Sequence, residues 1–298
     1  MDLKKLLALA AAMAVIVSFT PAHGALADAV APVPSPPPAG DGVLGGGAVS
    51  GSFTVLTYNV AGLPQGISQS QPILNTPQIS PRLNAFDIVL TQEDFFYGKQ
   101  LKSKATHPYY APRSDKGTLG DGLSRFSTFP MSPVDHQTWQ ECHGVLWYAN
   151  DCLTPKGFSF ARHTIAPGVE IDIYDLHADA GPDKADQQTR SVDTDQLIAY
   201  VKEHSAGRAV IIGGDTNLRS RPIDEASFKR LIDGLGLTDA CVAAGDGKPR
   251  LDRIVYRSGQ GVELAAVKYQ VEHEHFSVGG LPLSDHQPVS VTFEWKKP

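Results

Sequence analysis

Val210-Ile211-Ile212-Gly213-Gly214-Asp215-Thr216-Asn217 runs an apolar segment straight into two glycines, then a carboxylate and a carboxamide two residues apart. Three β-branched residues in a row, closed by glycine, read as a short buried strand. The glycines let a neighbouring backbone or a ligand come close. If the segment stays extended, Asp215 and Asn217 point the same way at its rim. Taken alone, the pair is explained equally well as turn chemistry.

The same pattern recurs along the chain. "FTVLTYNV", "FDIVLTQED", "VEIDIYDLHAD", "LDRIVYRS" and "QPVSVTFEW" each combine β-branched or aromatic residues with a cluster of Asn, Asp, Glu or His at or near one end. Between some of them lie helical patterns. From Thr189 to His204, the residues Val192, Leu197, Ile198 and Val201 form one apolar face, and Ser205-Ala206-Gly207 ends it. Strands alternating with helices, together with strand-only stretches, imply a mixed two-sheet core covered by helices rather than one parallel sheet. Polar strand ends would then converge where the sheets share an edge.

The amino terminus is of another kind. Residues 1–27 carry a basic head with Lys4 and Lys5, an apolar run from Leu6 to Phe19, and Ala25-Leu26-Ala27 as a cleavage site. That is the pattern of a secretory signal peptide, and the run is shorter than the ~20 residues of a membrane span. Residues 28–51 are rich in Pro, Gly, Ala and Ser and read as a flexible tether. One domain is expected over 52–297, exported to the periplasm or beyond and monomeric. Export permits disulfides, and Cys142 and Cys152 flank one loop, leaving Cys241 as a buried free thiol. The net charge of −6 and the lack of a dense basic run make duplex nucleic acid a poor partner without excluding it.

Each polar strand end has a bland reading: Asn59 as a turn, Glu93 as a solvated carboxylate, Asp175-Leu176-His177 as a surface loop, Asp285-His286 as another turn. The set has a sharper one. Hydrolysis at phosphorus needs a hard cation on oxygen ligands, a base for water, and donors for the phosphate oxygens. Asn59 and Glu93 supply oxygens; His286 can act as base with Asp252 orienting its imidazole; Asp215 and Asn217 can polarise the water and donate to phosphate.

The ordered series "TYNVAGLP", "LTQED", "DLHAD", "GGDTN", "LDRI" and "LSDHQPV" resembles the endonuclease/exonuclease/phosphatase superfamily of Mg2+-dependent phosphoesterases. The resemblance implies a four-layer α/β sandwich, two mixed β-sheets packed face to face and flanked by helices, with the site at one sheet edge. It implies Asn59 and Glu93 as the metal pair and Asp285 as a metal-associated carboxylate. His177 is then placed near the leaving group, Asp215 and Asn217 orient water and phosphate, and Asp252 partners His286. Either Asp215 or His286 takes the water's proton. Mg2+ is the implied cofactor, with Mn2+ or Ca2+ as substitutes.

"DCLTPKGFSFAR" places Asp151 five residues before Lys156-Gly157, similar to an Asp-x4-Lys-Gly element of neutral sphingomyelinases, where the lysine meets the substrate. This implies a phospholipid head-group hydrolase of sphingomyelinase or phospholipase C type. The alternatives are a DNase I-like extracellular endonuclease, with Arg113, Lys116, Arg125, Arg219, Arg221 and Arg250 as scattered phosphate contacts, and a non-catalytic binding module. Secreted bacterial sphingomyelinases carry a long aromatic hairpin before the final Asp-His; here "QVEHEHFSVGGLPLSDH" leaves Phe276 as the one expected exposed aromatic, so membrane contact would be slight and transient. His273 and His275, without a third ligand nearby, read as surface residues.

Overall fold

The computed structural model describes residues 49–117, 119–144, 151–248 and 250–298. The expected signal peptide and most of the tether lie outside the described residues. In chain order the elements are β1 (Val49–Asn59), α1 (Pro72–Arg82), β2 (Ile88–Gln92), α2 (Gly98–Lys102), β3 (Tyr109–Ala111), β4 (Ser124–Ser127) and β5 (Asp135–Thr138). They continue with β6 (Gly157–Ala166), β7 (Val169–His177), α3 (Lys184–His204), β8 (Val210–Asp215), α4 (Pro222–Leu235), β9 (Thr238–Asp239) and α5 (Ala240–Ala243). The last are β10 (Asp252–Arg257), β11 (Glu263–Val271), the hairpin β12 (Ser277–Val278) and β13 (Leu281–Pro282), and β14 (Val289–Lys297).

Two six-stranded sheets form, ordered β11-β14-β1-β2-β4-β3 and β5-β6-β7-β8-β10-β9. Each has a central parallel pair, β1 with β2 and β7 with β8, flanked by antiparallel strands. Side chains alternate across the pleat, and the alternation sorts the apolar residues into layers. Phe53, Val55, Ile88, Leu90, Ile171, Ile173, Ile211 and Ile254 fill the space between the sheets. Leu56, Tyr58 and Val89 face outward onto Ile79 of α1, while Val210, Ile212 and Val255 face outward onto Leu197 and Val201 of α3 and Leu231 of α4. The result is the expected sandwich of helix, sheet, sheet and helix.

All six strands expected from sequence are present, with β1 starting at Val49, inside the stretch read as tether. The α3 helix starts at Lys184, five residues before Thr189, because the Asp186 carboxylate accepts the Asp183 N–H at 2.8 Å and caps the first turn. Its first half buries Asp186, Arg190 and Asp193 rather than an apolar stripe, and Val192 is only half-buried.

The two glycines of β8 serve the protein's own packing. A Cβ at Gly213 would stand 2.9 Å from Leu90 Cδ1 of the opposite sheet, and one at Gly214, where φ is +149°, would stand 2.1 Å from the Leu176 carbonyl oxygen. Gly213→Ala meets a side-chain end that can turn aside, whereas Gly214→Ala meets backbone. We therefore expect Gly214→Ala to lose about 2 kcal/mol or more in urea denaturation, and Gly213→Ala clearly less. Equal losses would contradict the assigned contacts.

Candidate active site

Inward-facing rows that begin as core end as polar groups at one edge. Along β1 the row Phe53, Val55, Thr57 ends in Asn59; along β7, Ile171, Ile173, Asp175 ends in His177; along β8, Ile211, Gly213 ends in Asp215. Register sets His177 and Asp252 directly beside Asp215 on the two neighbouring strands. Glu93 follows the last residue of β2, and Asp285 and His286 lie in the turn before β14. One rung deeper, Gln92 donates to Asp175 at 2.6 Å, and the buried Arg125 donates to the carbonyls of Ile173 and Ser159. Asp175 is fully buried, so the surface-loop reading of that segment does not hold.

The two sheets meet through Asn59. Its Nδ2 donates to Glu93 Oε1 at 3.1 Å and to Asp215 Oδ2 at 3.2 Å, while its Oδ1 accepts the Ala61 N–H at 3.0 Å. His177 Nε2 lies 3.5 Å from Asp215 Oδ2 and 3.9 Å from Glu93 Oε1. On the other side of Asp215, His286 Nε2 lies 3.7 Å from Oδ2, and its Nδ1 lies 3.1 Å from Asp252. The 3.7 Å gap is too wide for a direct hydrogen bond, which leaves Nε2 free for a reacting oxygen.

Asn217 corrects one expectation. β8 stops at Asp215, and Asn217 adopts left-handed backbone at φ 48°. Its N–H donates to Asp215 Oδ1 at 3.0 Å, and its side-chain amide donates to Ala178 O at 3.1 Å. The pair is thus positioned by an Asx turn, not by strand alternation. Glu93 also sits at positive φ, 58°, a conformation that is sparsely populated for non-glycine residues and that clusters at functional sites.

Lys156 is buried. Its Nζ donates to Asp151 at 2.5 Å, and Asp151 also accepts the Ala180 N–H at 3.1 Å. Burial opposes the ammonium, but Asp151, Glu93 and Asp215 outweigh it and keep it charged. Cys142 and Cys152 are bonded, closing the loop that carries Asp151, and Cys241 is free and buried. Asp285 is exposed, although its charge still reaches His286 and Glu93. His273 and His275 are exposed, as expected, but Phe276 is 1% exposed, stacks on Phe86 and packs at a tilt against Tyr58, so it presents no aromatic to a membrane.

Several supports escaped the sequence reading. Trp139 Nε1 donates to the His177 carbonyl at 2.7 Å, and Ser284 Oγ donates to the Asn59 carbonyl at 2.7 Å. Arg190 forms a buried fork on Asp224 and donates to the carbonyls of Asp179, Ala180 and Gly181, pinning the loop after β7. Ser284 stands inside the quoted "LSDHQPV" and could have been found there; a buried arginine in a helix leaves no periodic signal.

A model of the endonuclease/exonuclease/phosphatase family matches residues 56–286. The chain belongs to that family. Sphingomyelinases of Mycobacterium tuberculosis and Mycobacterium bovis are 36% identical to it over 272 residues, 83% of this chain and 54% of theirs. The chain thus spans about half the length of these curated relatives. Sphingomyelinase C from Streptomyces griseocarneus has the same fold, with a TM-score of 0.58 at 19% identity over 81% of this chain and 99% of that one. So does a Staphylococcus aureus beta toxin mutant with bound magnesium ions, at 0.57 and 17% over 81% and 99%.

Enzymes of the endonuclease/exonuclease/phosphatase family use a divalent metal, and the donors here fit one. Asn59 Oδ1 keeps a second lone pair, the Glu93 carboxylate lies against the same amide, and the cluster of Asp215, Asp252 and His286, whose polar atoms lie within 4.8 Å of one another, stands beside them. Burial pushes Glu93 above the usual carboxylate range against the opposing charge of Lys156, so an added cation would relieve an acid surplus. An oxygen-rich set of this kind suits a hard cation.

The same surplus sets the pH dependence of stability. Burial, reinforced by Asp151, pushes Asp179 up to about 7, and burial, reinforced by Asp179, pushes Asp193 up to about 9. Burial works against the charged His286, yet Asp252, Asp215 and Asp285 hold it up to about 10. All three groups keep protons to higher pH when folded than when unfolded. Their contribution therefore falls as pH rises, the carboxyls from about 4 upward and the imidazole from about 6.5 upward. In EDTA the Tm should fall steadily between about pH 7 and pH 9; a flat or rising Tm by calorimetry would contradict these placements.

Proposed function

We propose that this chain is a divalent-metal-dependent phosphodiesterase of sphingomyelinase type, cleaving a phospholipid between phosphate and the lipid alcohol. The observation that carries this reading is the Asn59–Asp215–His286–Asp252 chain, which joins both sheets at one edge within hydrogen-bonding or near-hydrogen-bonding distances. The relatives named sphingomyelinase support the lipid substrate.

Asn59 and Glu93, with Asp285 at the rim, would hold the cation, Mg2+ by preference and Mn2+ or Ca2+ in its place; the chemistry it supplies is neutralisation of charge developing on the phosphate. Asp215 Oδ2 and His286 Nε2 would flank the attacking water; while the imidazole is charged it donates to the reacting oxygen and the proton leaving that water goes to Asp215. Asp252 fixes the imidazole through Nδ1. His177 is pushed well below its ordinary value, first by burial and then by Lys156 and His286, so it is neutral and can share a hydrogen bond with the departing oxygen. Asn217 and Lys156 donate to the phosphate oxygens.

The nuclease reading loses support because Arg125, one of its six cations, is 1% exposed between the sheets, while Arg250 is tied to Asp246. Ile73 and Leu74 are exposed on α1, Leu281 is exposed on β13, and Ser70 and Asn75 tie the start of α1 to the segment after β13 by donating to the Leu283 carbonyl. This apolar rim next to Asp285 and His286 would make the brief membrane contact. No helix among the described residues is long and apolar enough to cross a membrane. We further propose that residues 1–27 direct export, that 28–48 tether a catalytic domain that begins with β1 at Val49, and that the protein works as a monomer. Purified protein with Mg2+ should release phosphocholine from sphingomyelin vesicles. Untouched vesicles together with degraded DNA would reverse the assignment.

A further inference from the structure

On the helix side of the sheet that carries β10, between that strand, α4 and α5, lies a cavity of about 390 Å3. This is within the range of about 300–1,000 Å3 that small ligands occupy. Leu218, Phe228, Ile232 and Val242 make much of its wall apolar, and Arg253 stands in that wall. Side chains alternate across β10: Ile254 lies between the sheets and Val255 against the helices, so Arg253 points to the helix side, away from the catalytic face of its neighbour Asp252.

Arg253 is a buried cation that the fold leaves unanswered. Its side chain is 12% exposed, and its Nε is buried with no hydrogen-bond partner among the described residues. The one carboxylate within reach is that of Asp239, whose Oδ2 lies 3.7 Å from Nη1, too wide for a hydrogen bond, while its Oδ1 is occupied by the Cys241 N–H. Cζ lies 4.2 Å from the centroid of the Phe228 ring, which attracts the cation but offers no hydrogen-bonding oxygen. Burial pushes the guanidinium below its ordinary value, with Asp239 as the main counterweight. Five N–H donors held out of water without acceptors carry a desolvation cost that a bound oxyanion removes.

The other charges of the wall decide what kind of anion fits. Asp224 is spent on Arg190, and Lys229 is paired with Asp233. Arg219, Lys248 and Arg253 remain against Glu225 and Asp239, one positive charge in excess. That excess matches a single negative charge rather than a dianionic phosphate, and the planar guanidinium fork matches a carboxylate. The apolar part of the wall takes hydrocarbon behind it.

We propose that this cavity binds a small organic carboxylate, its head paired with the Arg253 guanidinium and its hydrocarbon against Phe228, Ile232 and Val242. The site goes beyond the phosphodiesterase reading and does not depend on turnover. The chain nevertheless sets the two side by side, since Arg253 follows Asp252 and Leu218 follows Asn217.

Calorimetric titration of the full chain with hexanoate and with 1-hexanol tests the site, with Mg2+ present and again in EDTA. Hexanoate should bind about tenfold or more tightly than hexanol, the margin of charge-assisted hydrogen bonds, and should do so in both conditions. Arg253→Gln should bring hexanoate down toward the affinity of hexanol. Equal affinities in the wild type, no binding of hexanoate, or binding that disappears in EDTA, as for a carboxylate held by the catalytic cation, would overturn the site. Undiminished hexanoate binding by Arg253→Gln would do the same, and the wild-type comparison stands even if the variant does not fold.

Discussion

His286→Ala is expected to lower kcat on a soluble phosphodiester by about 10²–10⁴-fold, the range for loss of a positioned acid–base group. The fold should survive, since the imidazole is a rim group held by Asp252 and by its own backbone N–H on Ser284 Oγ. Asp252→Asn should fall less, because the amide keeps a hydrogen bond to Nδ1 but loses the charge that holds the imidazole up. An NMR titration of the metal-free protein gives the sign independently: the His286 midpoint, raised to about 10 in the wild type, should move down in Asp252→Asn. A variant lacking His286 that turns over at the wild-type rate would remove the residue from the mechanism; rates of both proteins no higher than the uncatalysed background would revive the binding-module reading.

Removal of the divalent cation should have an effect of similar size. A Lewis acid contributes several kcal/mol of charge stabilisation, so excess EDTA is expected to cut turnover by about 10³-fold or more, with recovery on adding Mg2+. Glu93→Gln keeps the shape of the side chain and its bond to Asn59 but removes the charge, so it should shift half-saturation by Mg2+ upward more than it lowers kcat at saturating metal. Activity that persists in EDTA would deny Glu93 and Asn59 their place in the mechanism.

The six strands that build the site were legible because burial on both faces forces β-branched runs and because each run meets polar residues at the working edge. What escaped is what long range decides. Pro77 and Pro81 stand inside α1, where they argue locally against a helix; packing of Ile79 and Leu83 overrides them. Strands β3, β5, β9 and β11 are short or lie at sheet edges with exposed positions, so they lack an apolar signature. The site residues were legible by type and order, but their meeting was not. Asn59 and Asp215 are 156 positions apart, and only the register of two sheets brings them to 3.2 Å. Phe276 was misplaced for the same reason, since burial of a residue near a loop depends on what folds over it. The Asp215–Asn217 turn escaped because Asx geometry competes with extension on equal local terms.

The hydrogen bond from Asn59 to Asp215 crosses between the sheets at the working edge, as those of the buried Gln92 and Arg125 and of the Ala266 N–H to Tyr256 Oη cross them elsewhere. Neither sheet holds a working half: one carries Asn59 and Glu93, the other His177, Asp215 and Asp252. Regained turnover during refolding would therefore clock the closing of the whole sandwich, lagging any signal from the secondary structure of a single sheet.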